Sequence, residues 1–234
     1  MTPARGDHEA RRADVSAAVW RVLADGGFGG LTLRAVAAEM GASTGLLTHY
    51  FPNKRALVRH ALEVLDRRSA GRARPGVDAA APGLATLRAV LLDILPLTAQ
   101  GAADNRIWVA SWDVALADPE LAAEHAERYR RSRLRMAAHV ARARRLGELP
   151  GGAGNEVGAA AGEAEVGEAD LEVAAAAQSH VLGLVVQALF APQEFPPERQ
   201  IRLVDRYLAD LSAGAARAAC AGGAEGPVQG GPVA

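Results

Sequence analysis

The sequence predicts an all-α protein, with a small N-terminal three-helix unit followed by a larger helical body. Two compositional facts and one pattern predict it. Alanine, the strongest helix former, supplies 53 of the 234 residues. Phe, Trp and Tyr together make up only 4%, so the aromatic content that sheets favour is missing. Between short Gly, Pro and cap signals, apolar side chains recur every three or four residues, the period of a helix with one buried face.

The elements follow in order. The first helix runs over about 8–24, with Val15, Ala18, Val19, Val22 and Leu23 on one stripe, and GGFGG at 26–30 stops it. Thr32 caps a second helix that turns Leu33, Val36, Ala37 and Met40 inward, and Gly41 ends it. Ser43 stands at the next cap position, before the short TGLLTHYF segment. Pro52 breaks the run, and Asn53 caps a fourth helix from Lys54 to about Ser69. Residues 71–83 read as a link. Body helices are expected at about 84–99, 104–117, 119–146, 171–191 and 197–213. Residues 147–170 hold seven Gly and six acids and too few apolar side chains to offset ordering, so a mobile insert is expected there. The predicted division is therefore 1–52, 53–213 and a disordered tail at 214–234.

Composition excludes several classes. One cysteine, Cys220, permits no intramolecular disulfide and no Cys-based zinc cluster. The apolar run 181–191 is shorter than the ~20 residues a membrane span needs, and the N-terminus lacks the apolar core of a secretory signal. A soluble, cytoplasmic protein is expected. His125, His139 and His180 lack metal-ligand spacing, Ser179-His180 lacks a nucleophile-elbow sequence, and GGFGG lacks the Lys of a phosphate loop. No catalytic residue, metal site or cofactor is predicted. The net charge of −1 hides an asymmetry. Residues 1–74 carry twelve Lys/Arg and seven Asp/Glu, a net of +5, leaving −6 for the rest. One anionic partner at one end suits that pattern.

The informative stretch is 31–54, LTLRAVAAEMGASTGLLTHYFPNK. Two short helices joined by a turn at Gly41 form a helix-turn-helix pattern. Leu46 and Leu47 can anchor the second helix, which leaves Ser43, Thr44, Thr48, His49 and Tyr50 facing out. Short or planar side chains suit entry into a DNA major groove, and hydroxyls suit phosphates. Gly45 leaves room for a close backbone approach, and Lys54 can reach a phosphate.

The run LTLRAVAAEMGASTGLLTHYFPNKRALV, with the preceding amphipathic helix and its Gly-rich stop, resembles the DNA-binding domain of the TetR family of bacterial transcriptional regulators over residues 8–62. The resemblance implies backbone contacts from Thr32 and a base-edge contact from Arg34. It implies a cap and phosphate contact at Ser43 and a groove-facing set of Thr44, Gly45, Thr48 and His49. Tyr50 and Lys54 match phosphate-side contacts. WVASWDVAL at 108–116 and GLVVQALFAPQEFPPERQIRLVDRYLADL at 183–211 look like the BetI-like subgroup. Such a chain would be a repressor that binds a palindromic operator as a homodimer and is released by a small-molecule effector.

Two further expectations concern the body. Trp108 and Trp112 share a helix face beside Asp113, a set able to hold a cation, a quaternary ammonium for instance. Leu182, Val185, Val186 and Leu189 make their helix apolar on more than one face, as a helix buried against a mate would be. The resemblance adds the last helix, with Val204 and Leu208, to that dimer interface. Two rival readings remain: a helical interaction module that has lost specific DNA binding, and an enzyme built on a helical bundle.

Overall fold

The computed structural model describes the backbone of residues 5–150 and 165–222, and side chains within 10–150 and 165–213. Ten helices occur among these residues, and no strand. They are α1 Arg5–Gly30, α2 Leu33–Glu39, α3 Thr44–Thr48, α4 Lys54–Gly71, α5 Pro75–Asp78, α6 Leu84–Ile94, α7 Ala99–Leu116, α8 Pro119–Arg145, α9 Glu168–Phe190 and α10 Pro197–Gly222.

The chain forms two compact units. One runs to Arg74 and includes Pro96–Tyr129; the other comprises Pro75–Leu95 and Arg130 onward. The first unit therefore does not close at residue 52. The reason lies in α4, whose Leu57, Val58, Ala61, Leu62 and Leu65 bury themselves in one core with Val15, Ala18, Val19 and Leu23 of α1. Ile107 and Ala115 of α7 and Leu121 of α8 complete that core.

Local chemistry sets the helix ends. α1 is broken at Gly27, whose φ of 58° and ψ of −162° suit only glycine, so the GGFGG stop acts within a longer element. Thr32 Oγ1 accepts from Ala35 N at 3.0 Å, as a cap should. At the turn, Gly41 has φ 61°, and Ala42 N donates back to Ala37 O at 2.9 Å. α6 stops at Ile94 rather than near 99, because Leu95 precedes Pro96 and is pushed into extended backbone (φ −74°, ψ 149°). Thr98 then caps α7 at once, with Gly101 N 3.0 Å from its hydroxyl, so α7 starts five residues before its predicted position. The link at 71–83 contains the single turn α5.

In the second unit, ion pairs tie the helices together. Arg88 of α6 grips Asp205 of α10 with two bonds of 2.5 and 3.0 Å. Arg144 of α8 holds Asp170 of α9 at 2.7 Å and also donates to Pro150 O. Asp170 in turn accepts from Gly167 N at 3.0 Å. This fastening corrects the expected mobile insert at its edges. α9 begins at Glu168, Asp170 is 6% exposed, and Leu149 is 5% exposed. The middle of that insert, 151–164, lies outside the described residues. The predicted tail is corrected too: α10 continues to Gly222, because AGAARAACAG is mostly alanine. The remainder, 223–234, lies outside the described residues.

α9 is long and apolar enough, by length and composition, to cross a membrane. The sequence count missed this because it took 181–191 alone and not the alanines that precede it. In this fold α9 is a packed helix whose Ala174, Ala177, Val181, Leu184, Val185 and Ala188 are buried.

Removing one partner of a mostly buried ion pair strands the other. Arg144→Ala should lower the unfolding free energy by about 2–3 kcal/mol, measured by urea denaturation. A loss below about 0.5 kcal/mol would mean that the pair behaves as a surface bridge.

Candidate nucleic-acid interface

α2 and α3 are too short to be stable alone, and tertiary anchors hold them. Val36 (0% exposed), Ala37 and Leu47 (0%) point into the first unit's core, and Phe51 follows at 5%. Phe51 N donates to Leu47 O at 2.8 Å, which closes the end of α3. Leu46 is half-buried beside them. Arg21 of α1 pairs with Glu39 at the end of α2.

The opposite surface carries the expected set. Thr32, Arg34, Ser43, Thr44, Gly45, Thr48, His49 and Lys54 are all exposed. Tyr50 is half-buried and packs against the core with part of its ring. The capping of α3 differs from expectation. Ser43 has the extended backbone of a cap, yet its hydroxyl makes no cap hydrogen bond, so that hydroxyl stays available to an outside partner. Asn53 does cap, accepting from Ala56 N at 2.9 Å, and it sets Lys54 at the first turn of α4. The Thr48 hydroxyl donates to Gly45 O at 2.7 Å, which leaves its methyl and a lone pair facing out.

Gly45 is informative. A Cβ built there would meet only Ser43 Oγ, at 3.8 Å. Nothing in the described fold requires glycine at this position, in contrast to Gly27 and Gly41 with their positive φ.

The basic excess of the first 74 residues is partly consumed inside the unit. Arg55 pairs with Asp118 and lies 3.3 Å from Glu120. Arg59 bonds to Glu120 at 2.7 Å and Glu124 at 2.9 Å. Sequence counting could not show this, because the acids lie some sixty residues away along the chain. Arg34 and Lys54, by contrast, have no ion-pair partner among the described residues, and they flank α3.

The body residues come together differently from the prediction. Trp108 and Trp112 are half-buried, whereas Asp113 is exposed. Trp108 Nε1 donates to Ser69 Oγ of α4 at 3.1 Å. His125, 6% exposed, packs edge-on to Trp108 at 5.5 Å and Tyr129 at 5.1 Å. The acid beside this aromatic set is Asp66 of α4, 3.6 Å from Arg128, and sequence reading missed it. Burial pushes the Tyr129 phenol up to about 12. His180 stacks on Tyr207 at 4.6 Å and His139 is half-buried.

On the dimer set, Val185, Val204 and Leu208 are 1%, 0% and 7% exposed, so they belong to the protomer's own core. Their helices pack on α6 and on each other, which uses those faces. Leu182, Val186 and Leu189 remain half-buried, and Phe190, which the sequence reading did not single out, is 84% exposed.

Burial lowers the pKa of His125, with Arg128 adding to the effect; burial also lowers those of His60 and His139. A depressed native pKa gives stability that is full above the unfolded value of about 6.5 and is lost as pH falls below it. The melting temperature should therefore drop from pH 7.5 to pH 5.5. A flat profile over that window would contradict burial of the neutral rings.

Two family models match separate stretches of the chain. Residues 15–61 match the family described as "Bacterial regulatory proteins, tetR family", and residues 83–213 match "BetI-type transcriptional repressor, C-terminal". The HTH-type transcriptional regulator PksA of Bacillus subtilis is 30% identical over 109 residues, 46% of this chain and 53% of that protein. The HTH-type transcriptional regulator BetI of Burkholderia thailandensis is 34% identical over 123 residues, 51% of this chain and 62% of that protein. The chain thus spans less than two thirds of the length of these curated relatives. Among solved structures, a transcriptional regulator from Rhodococcus sp. Rha1 superposes with TM-score 0.67 at 22% identity, over 87% of this chain and 97% of that one. A putative transcriptional regulator from Saccharomonospora viridis, in complex with choline, gives 0.69 at 16% identity, over 86% and 96%. These two likenesses establish the fold. With more than half of its length matched by the BetI-type model and its helix-turn-helix by the family's N-terminal one, the chain belongs to the TetR family of bacterial regulatory proteins.

Proposed function

We propose that this protein is a cytoplasmic transcriptional repressor that binds a palindromic operator as a homodimer and is released by a small-molecule effector. One observation carries the DNA reading. The whole outward face of α2 and α3 is exposed, while its inward face is locked in the core. Thr32, Ser43, Tyr50 and Lys54 serve the phosphates, and Arg34, Thr44, Gly45, Thr48 and His49 face the bases. Gly45 is where the DNA backbone or a base edge comes closest, which accounts for a glycine the fold does not need. One such face reads too few bases for useful specificity, and two faces about 34 Å apart read a palindrome.

The dimer reading rests on α9. Leu182, Val186, Leu189 and Phe190 form an apolar strip that the protomer leaves incompletely covered. Ala176, Ser179 and Gly183 are exposed on the same helix, and their small size lets a mate's helix approach closely. The effector reading rests on the aromatic set of Trp108, Trp112, His125 and Tyr129, with Asp113 at its exposed edge. Aromatic faces suit a cation, and the choline complex of one structural neighbour makes choline the first probe. Ser69 and Asp66 link this set to α4. A ligand there acts on the helix that shares its core with α1, and so on the seating of α2 and α3. To move the operator from mostly bound to mostly free, it must prefer the released state by several kcal/mol.

The test is to incubate the purified full chain with random-sequence duplex DNA and sequence what it retains. A palindromic consensus supports the reading. No enrichment at low salt from folded, dimeric protein would sink it and favour the interaction-module alternative. On the selected site, Thr48→Ala and His49→Ala should each weaken binding by about 1–3 kcal/mol in fluorescence anisotropy. Gly45→Ala should do so too while leaving the protein as stable or up to about 1 kcal/mol more stable. Lys54→Ala should weaken all sequences alike and lower the salt slope by about one. Unchanged affinity in Thr48→Ala and His49→Ala would remove α3 from the interface.

Dimerisation has its own measurement. Phe190→Glu should shift the protein toward monomer in sedimentation velocity, because a charge on the apolar strip is stranded when a mate covers it. Full retention of the dimer would place the interface elsewhere.

A further inference from the structure

Within the first unit, a groove of about 1240 Å³ runs between α1 and α4 and ends at His49, Tyr50 and Phe51, the residues that follow α3. Its floor is apolar, from Val15, Phe51 and Val64. Arg12 and Arg67 stand on its walls, and neither has an ion-pair partner among the described residues. A third guanidinium, Arg68, lies 4.0 Å over the Trp20 ring. Glu63 is the single acid lining the groove among the described residues.

Half-buried His60 sits among these groups. Its Nε2 is 3.1 Å from Ser16 Oγ, its Nδ1 is 3.7 Å from the Glu63 carboxylate, and its ring lies 5.2 Å from Phe51. The ring thus shares a hydrogen bond with the Ser16 hydroxyl through Nε2 and faces the Glu63 carboxylate with Nδ1. Burial holds the His60 pKa down, Glu63 opposes this, and Arg67 and Arg12 push the same way as burial. Both arginines thus act on one point of the groove wall.

We propose that this groove binds a small organic anion, a carboxylate carried on an apolar body, at a site separate from the aromatic set of α7 and α8. The two arginines offer charge-assisted hydrogen bonds to a carboxylate. The floor offers apolar surface to the body, which a bare phosphate of DNA would leave unused. Among the described residues a cation would meet three guanidiniums and one carboxylate. His49 and Tyr50 line the same groove, so an occupant touches the segment that closes the reading helix and carries two of the proposed DNA contacts, and its affinity and that of DNA become linked.

The test uses the full chain without DNA, so its result is independent of the operator reading. The protein is titrated with 2-naphthoate, its neutral isostere 2-naphthamide and inorganic phosphate. Imidazole ¹H–¹³C signals are followed, and His60 is assigned by the signal lost in His60→Gln. The expected result is a His60 shift with naphthoate, at an affinity at least about ten-fold above that of naphthamide and of phosphate. Arg12→Gln/Arg67→Gln, both exposed positions, should abolish that preference with the helical content unchanged. Equal affinity for acid and amide, equal affinity for phosphate, or an unchanged preference in the double variant would overturn the proposal. So would a naphthoate response confined to His125.

Discussion

The structure depends on one packing constraint: a reading helix of five residues exists only because Leu47 is seated in a core it does not itself build. An isolated helix of that length has no stability in water. Its anchor is a surface made by α1 and α4, and α7 backs that surface through Ile107 and Ala115. The helix-turn-helix is therefore not a separable module ending at residue 52. It is the outer layer of a unit that includes α4 and α7, and the positive-φ glycines at 27 and 41 fix where its short pieces turn.

Charge is divided along the same line. The arginines of α4 that face α8, Arg55 and Arg59, are used internally by Asp118, Glu120 and Glu124. Each exposed pair contributes little by itself, but together they fix α4 against α8. Among the described residues, cations without such partners remain to attract anions, Arg34 and Lys54 beside α3 and Arg12 and Arg67 at the groove among them. A formal +5 in the first 74 residues is thus a poor measure of the field, and the placement of each acid decides it.

Much of this was legible in the sequence. The apolar stripe of α1, the caps at Thr32 and Asn53 and the Gly41 turn are local signals, and the structure follows them. The exposed set on α2 and α3 follows from the same periodicity. The misreadings were non-local. Nothing near Asp170 announces Arg144, so residues that read as a mobile insert are fastened at its end. Apolar spacing assigns Val185 to a dimer face and the family resemblance adds Val204 and Leu208, but all three are buried within the protomer. Phe190 sits at the end of its helix, and only the fold shows that it is left outside. Asp113 is adjacent to Trp112 in sequence and still faces solvent, while the acid near the aromatic set, Asp66, comes from another helix. The alanine-rich end of α10 read as tail because its pattern lacks large apolar residues, although propensity alone favours a helix there.

The central claim is that α2 and α3 share the stability of the α1–α4–α7 core. Native-state amide hydrogen exchange on the full chain tests it most directly. The Phe51 amide, bonded to Leu47 O, should exchange through the same opening as the amides of Leu57, Leu62 and Ile107, with similar free energy and similar denaturant dependence. Exchange at Phe51 through a local opening several kcal/mol less costly, with the α1, α4 and α7 amides still protected, would show that the reading helix is held by something other than this core.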